Sequence, residues 1–189
     1  EDIEIAAFLT AIIAWGRKET IIANARRLVD GMPGGPHEFL IHATDSDLNR
    51  FRSFVHRTFN GVDCVYFLKS LRELYRYHGG LKQVFEKSFL STGVLTSSIS
   101  YFREVFFRDC QPGRTSKHLP DVQKNSGAKR LNMFLRWMVR RDRGGVDFGL
   151  WDQIPMSALY IPLDVHTGNV ARKLGLLERK QNDWKSVEE

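Results

Sequence analysis

Apolar residues in this chain recur at three- and four-residue steps in segment after segment, and no stretch alternates with a period of two for long enough to build a sheet. That spacing gives each segment one buried stripe, so the expected fold class is all-α. Ile5, Phe8, Leu9, Ile12 and Ile13 form the first stripe, with Asp2 as the expected cap and an end near Gly16. Ile21, Ile22, Ala25, Leu28 and Val29 form the second, which stops at the breaker Gly31-Met32-Pro33-Gly34-Gly35-Pro36. Short helices are expected between His37 and Phe59, one capped by Ser46 or Asp47, with Phe51, Phe54 and Val55 buried. Longer helices follow over 63–77, 81–90 and 96–109. Their inward stripes are Val65, Leu68, Leu71, Leu74 and Tyr75; Val84, Phe85 and Phe89; and Ile99, Phe102, Val105 and Phe106.

The 189 residues are expected to form a single helical region over 1–189 with a core of its own. Nothing precedes the first helix to cover its outer side, and the last helix, opened by Asn182-Asp183-Trp184, is cut short, so a longer native chain is expected at both ends. No apolar run is long enough to span a bilayer, so no membrane partner is expected. Two cysteines, Cys64 and Cys110, are too few for a disulfide scaffold or a four-cysteine cluster, and point to a cytoplasmic setting. The histidines at 37, 42, 56, 78, 118 and 166 have no ligand spacing with acids on one helix face, so no metal and no cofactor is expected. A net charge of +6, partly clustered at Arg17-Lys18, Arg26-Arg27, Arg140-Arg141 with Arg143, Arg172-Lys173 and Arg179-Lys180, favours a polyanion, nucleic acid first.

Two stretches carry chemistry. The first is 126–141, an amphipathic helix whose buried stripe is Leu131, Phe134, Leu135 and Met138, extended backwards by Ala128. Arg130, Arg136, Arg140 and Arg141 are expected on its other, cationic face. Lys129 stands in its first turn. A helix N-terminus carries positive partial charge, which repels an ammonium and favours the neutral, nucleophilic amine. Before it, the polar, basic, proline-broken loop from Gln111 to Asn125 offers a phosphate-binding surface or a solvated connector.

The second stretch is Pro162-Leu163-Asp164-Val165-His166. Pro162 disfavours helix at Ile161, while 165–174 has helical spacing and Gly175 suits its end. Asp164 is therefore the expected N-cap, an oriented and ionised carboxylate able to turn one oxygen into a cleft.

Together these stretches resemble the helix-hairpin-helix DNA glycosylase superfamily. Gly127-Ala128-Lys129 looks like the end of its hairpin with the catalytic lysine in the next helical turn, and Pro162-Leu163-Asp164-Val165-His166 like the segment bearing its catalytic aspartate. Leu119-Pro120 with Val122 is similar to the opening of that hairpin. The likeness is nearest to the 8-oxoguanine DNA glycosylase/lyases of archaeal type, in a bacterial branch, and is anchored within residues 119–177. Two features depart from the pattern: Asn125 stands where the first hairpin glycine belongs, and Lys129 and Asp164 are 35 residues apart, more than in the eukaryotic-type enzymes.

The resemblance implies a two-lobed helical glycosylase fold with the active-site cleft between the lobes. It implies a hairpin-like element with the lysine helix over 111–141, an aspartate segment over 159–175, and no iron–sulfur cluster. It also implies base-excision repair of double-stranded DNA containing a damaged base, by a monomer that associates with the nucleoid. Lys129 would attack C1′ of a flipped oxidised purine such as 8-oxoguanine, forming a Schiff base and then nicking the strand as an AP lyase. Asp164 would assist the lysine and stabilise charge on the sugar. Lys117, Lys124, Asn125, Ser126, Gly127, Arg130 and His166 would contact DNA, and Trp15, Trp137 or Trp151 could stack on a base. Two other readings stand beside it: a catalytically inactive helical DNA-binding protein on the same fold, and a helical protein–protein adaptor that uses the Phe-rich stripes.

Overall fold

The structure, a computed structural model, describes residues 1–108, 113–142 and 144–189. The end of the helix expected over 96–109, Cys110, the Gln111-Pro112 start of the basic loop, and Arg143 lie outside the described residues. In chain order the elements are α1 (Asp2–Ile12), α2 (Lys18–Asp30), α3 (Pro36–His42), α4 (Asp45–Asn49), β1 (Val55–His56) and β2 (Phe59–Asn60). They continue with α5 (Gly61–Tyr77), α6 (Gly80–Thr92), α7 (Leu95–Phe106), α8 (Lys129–Val139), α9 (Val165–Lys173) and α10 (Trp184–Glu188). Short 3₁₀ turns lie at Arg50–Ser53, Gly113–His118, Val122–Lys124 and Met156–Ala158. The class is all-α, and the one sheet among the described residues is the antiparallel pair β1–β2.

The core forms where the α1, α5, α6, α7 and α8 stripes meet. α1 lies along α8, and α6 along α7. Phe8 of α1 sits at the centre, its ring 5.6 Å from Phe102, 5.7 Å from Phe106, 5.5 Å from Phe134 and 6.2 Å from Phe67. Such pairs add about 0.5–1.5 kcal/mol each beyond area burial, so four helices are fixed through one side chain. Glu4 is buried beside this cluster, accepting hydrogen bonds from Trp151 Nε1 at 2.9 Å and the Tyr75 hydroxyl at 3.0 Å. Burial, and then the Glu4 carboxylate, push the Tyr75 phenol far above its ordinary range.

Several local expectations are corrected. Asp2 lies inside α1 rather than capping it, and its carboxylate accepts the His37 N–H at 2.8 Å. Thr44, not Ser46 or Asp47, caps α4, with Asp47 as the reciprocal member of a capping box. Val55 is 56% exposed because the β1 pleat turns it out and His56 in. In α2 only Leu28 is buried and Ile22 is exposed, since that helix packs at the surface. The β1–β2 hairpin went unread because two-residue strands are too short to display a period.

Candidate active site and nucleic-acid interface

α8 begins at Lys129, and its first residues are set by two left-handed conformations. Asn125 has φ 62° and Ala128 has φ 46°. Asparagine is among the few side chains that tolerate this region, so Asn125 can make the left-handed turn without a glycine. Ala128 offers no side-chain cap, leaving the first-turn N–H groups of α8 without a side-chain acceptor. The expected stripe is in place: Leu131, Phe134, Leu135, Met138 and Ala128 are all buried.

Asp164 is the N-cap of α9, in an extended conformation, and its Oδ1 accepts the Thr167 N–H at 2.8 Å. Its other oxygen lies 2.9 Å from Lys129 Nζ, the lysine side chain 44% and the aspartate 30% exposed. Two helix N-termini thus meet at one ion pair. The Thr167 N–H, followed by Lys129, holds the Asp164 carboxyl well below the usual carboxylate range. The two residues singled out from distant parts of the sequence are in direct contact and open to solvent on one side.

A C-terminal strap brackets this pair. Asp183 caps α10, accepting the Ser186 N–H, and its other oxygen accepts Asn125 Nδ2 at 2.8 Å and Arg179 Nη2 at 2.6 Å. Arg179, then the Ser186 N–H and Asn125, hold the Asp183 carboxyl well below its ordinary value. Asn125 Oδ1 in return accepts the Lys185 N–H at 3.1 Å. The strap passes so near the turn before α8 that a Cβ on Gly127 would stand 2.9 Å from the Asn182 carbonyl oxygen, and one on Gly168 2.5 Å from its amide oxygen. Close backbone approach is what both glycines provide. Nothing in the local spacing of Asn182, Asp183 or Arg179 announced this docking; a cap signature at Asp183 says where a helix starts, not what it covers.

The cationic face of α8 is corrected in three places. Arg130 turns inward: its guanidinium donates to the carbonyls of Ile12 and His118 and stacks 4.6 Å over Trp15, so it is not presented to phosphate. Burial lowers its pKa. Arg136 and Arg140 pair with the buried carboxylate of Asp147 at 3.3 Å and 3.4 Å. Those pairs tie the 144–149 loop back to α8, where the Trp137 carbonyl accepts the Phe148 and Gly149 N–H groups. Lys117, Lys124 and His166 remain exposed, Ser126 and Gly127 are half-buried at the turn, and Asn125 is occupied with Asp183 and Lys185.

The three tryptophans separate. Trp151, 1% exposed, belongs to the core. Trp15 is packed between Arg130, His56 and His118. Trp137 alone of the three lines an open apolar groove of ≈ 480 Å³, with Ile3, Ala6, Ala7 and Thr10 of α1 and Val146 and Phe148. Trp137 and half-buried Met133 follow Lys129 at four-residue steps, so all three share one face of α8.

Among the described residues no group of three His, Cys, Asp or Glu side chains could hold a metal ion. Cys64 is buried and its thiol is pushed up to about 12 by burial and then by Asp63, which removes it as a nucleophile near neutral pH. No helix is long and apolar enough to cross a membrane among the described residues. Neither a curated protein nor a solved structure matches this chain. One family model matches it, over residues 1–189, and the chain therefore belongs to the family described as protein of unknown function, DUF2400.

Proposed function

We propose that this protein is a bifunctional DNA glycosylase with AP-lyase activity, acting on an oxidised purine such as 8-oxoguanine, on a two-lobed helix-hairpin-helix glycosylase fold. The observation that carries the reading is the Lys129–Asp164 pair, 2.9 Å apart at the meeting of two helix N-termini. Attack requires the free amine, so the ammonium must lose its proton as substrate enters. Asp164, in contact with the Lys129 amine, is the adjacent group that can take part in that transfer.

The chemistry then runs on this chain's own residues. The nucleotide leaves the stack, and the Lys129 amine bonds to C1′ as the glycosidic electron pair departs with the base. Asp164, held ionised, faces the positive charge that develops on the sugar. Ring opening gives the Schiff base, and loss of a proton from C2′ expels the 3′ phosphate. The uncapped N–H groups of α8, with Lys124 and Lys117, would hold backbone phosphates. The groove at Trp137 and Phe148 has the size and apolar lining of a ligand pocket, and Trp137 stands two turns along α8 from Lys129, so an extruded base would have to reach along the helix to stack there.

Borohydride trapping on a duplex with one 8-oxoguanine tests this. A covalent adduct that disappears in Lys129→Gln and weakens sharply in Asp164→Asn is expected. Failure to trap on both the lesion duplex and an abasic duplex, with DNA binding retained, would leave the second reading, an inactive DNA-binding protein; loss of binding as well would leave neither.

A further inference from the structure

A second cationic surface lies around the tip of β1–β2 and adjoins Lys117. His56 pairs with Phe59, so Arg57 and Thr58 form a two-residue turn. Such turns favour Asn-Gly because their backbone needs positive φ. Here Arg57 itself has φ 54°, a conformation that disfavours a long side chain and that glycine would adopt freely. The tip is docked in place: Arg114 donates to the Thr58 carbonyl at 3.1 Å while its other amine faces buried Asp63 at 3.2 Å. The outer part of the Arg57 side chain lies against Gly16, where a Cβ would stand 3.2 Å from its Cδ, and the Gly16 φ of 108° disfavours any other residue there.

Arg17 and Lys18 follow Gly16 directly, and Lys117 neighbours His118, whose ring stacks on Trp15. Arg17, Lys18, Arg57 and Lys117 are all exposed, and none has an acidic partner within ion-pair distance among the described residues. Trp15 carries the stacked guanidinium of Arg130, the residue after Lys129. The patch is therefore joined to the N-terminus of α8 through one stacked layer.

We propose that Arg57, Arg17 and Lys18 form a second phosphate-tracking surface for duplex DNA that continues from Lys117, with the strained Arg57 held at the β1–β2 tip to reach the backbone. This extends the DNA reading and rests on it. Exposed cations gathered on one surface, rather than scattered, suit a regularly spaced polyanion.

The test is duplex affinity against salt for the wild type, Arg57→Gly, the Arg17→Ala/Lys18→Ala double variant and Lys87→Ala, an exposed lysine of α6, with melting temperatures alongside. Arg57→Gly is expected to lower the slope of log K on log salt by about 0.9 while the melting temperature holds or rises, and the double variant to lower it by about twice that. Lys87→Ala is expected to leave the slope unchanged. A steep wild-type slope that the patch variants retain, or an equal fall in Lys87→Ala, overturns the second surface and leaves the DNA reading standing. A wild type with no salt-dependent affinity overturns both. Loss of binding to phosphatidylglycerol vesicles by the patch variants, with DNA slopes intact, overturns it in favour of a lipid surface.

Discussion

Lys129 Nζ lies 2.9 Å from Asp164 Oδ2, and the two residues open the helices α8 and α9 from opposite sides of the same contact. Each is the first-turn or capping residue of its helix, so backbone geometry, not side-chain reach alone, sets the distance. Rotating either helix by one residue would separate them.

The pair is expected to matter for chemistry far more than for stability. Asparagine caps as well as aspartate, and a half-exposed ion pair is worth about 0–1 kcal/mol. Asp164→Asn and Lys129→Gln should therefore each lose under about 1 kcal/mol, whereas Asp164→Ala, which removes the bond to Thr167, should lose about 1 kcal/mol more than Asp164→Asn. Urea denaturation checks the order; an Asp164→Asn protein as unstable as Asp164→Ala would refute it.

Acid stability follows from the two depressed carboxyls. Asp164 and Asp183 both titrate below the ordinary value of 3.8, Asp164 chiefly through the Thr167 N–H and Asp183 chiefly through Arg179. For such groups the unfolded chain takes up protons first, so their stabilisation is fully present above that value and is lost as pH falls through the lower folded values. The wild type should lose stability progressively below about pH 4, and an Asp164→Asn/Asp183→Asn variant should show a flatter profile there. Denaturation midpoints between pH 2 and 6 decide it, and parallel profiles would count against it.

At Asn125 two effects can be separated. Substitution by glycine removes the bonds to Asp183 and Lys185 but accepts φ 62°, while substitution by alanine also meets the left-handed penalty. The alanine variant should be less stable than the glycine variant by about 1 kcal/mol. Both should speed amide hydrogen exchange in α10, which the Asn125 side chain ties to the hairpin. Equal stabilities would show that φ at this position relaxes.

Arg130→Gln should lower stability by about 2 kcal/mol, because the Ile12 and His118 carbonyls and the Trp15 ring lose a guanidinium. Arg130→Lys should not restore it, since a point charge cannot reproduce the planar fork. The salt slope of DNA binding should stay at the wild-type value in Arg130→Gln. A slope lower by about 0.9 would return Arg130 to the phosphate contacts.

Part of this was legible in the chain itself. The stripe Leu131, Phe134, Leu135 and Met138 predicted a buried helix face because helical period is a local property, and the Asp164 cap followed from Pro162 and the spacing after it. The same local rules failed at Asp2 and Ser46, where Glu1 and Thr44 stand at the helix ends instead. They also failed on the α8 arginines. Period places Arg130, Arg136 and Arg140 off the buried stripe, but whether a cation meets solvent or an acid depends on what the chain brings alongside.

The sequence by itself determined the helices, the stripes and the two residues of chemical interest, because propensity, spacing and capping act over a few residues. Tertiary structure alone decided that Lys129 meets Asp164, that Asn182 and Asp183 strap the turn before α8, that Asp147 pairs with two arginines, and that Arg57 lies on Gly16. Those contacts join positions far apart in the chain, and they are fixed by how whole helices pack around Phe8 rather than by any neighbourhood in the sequence.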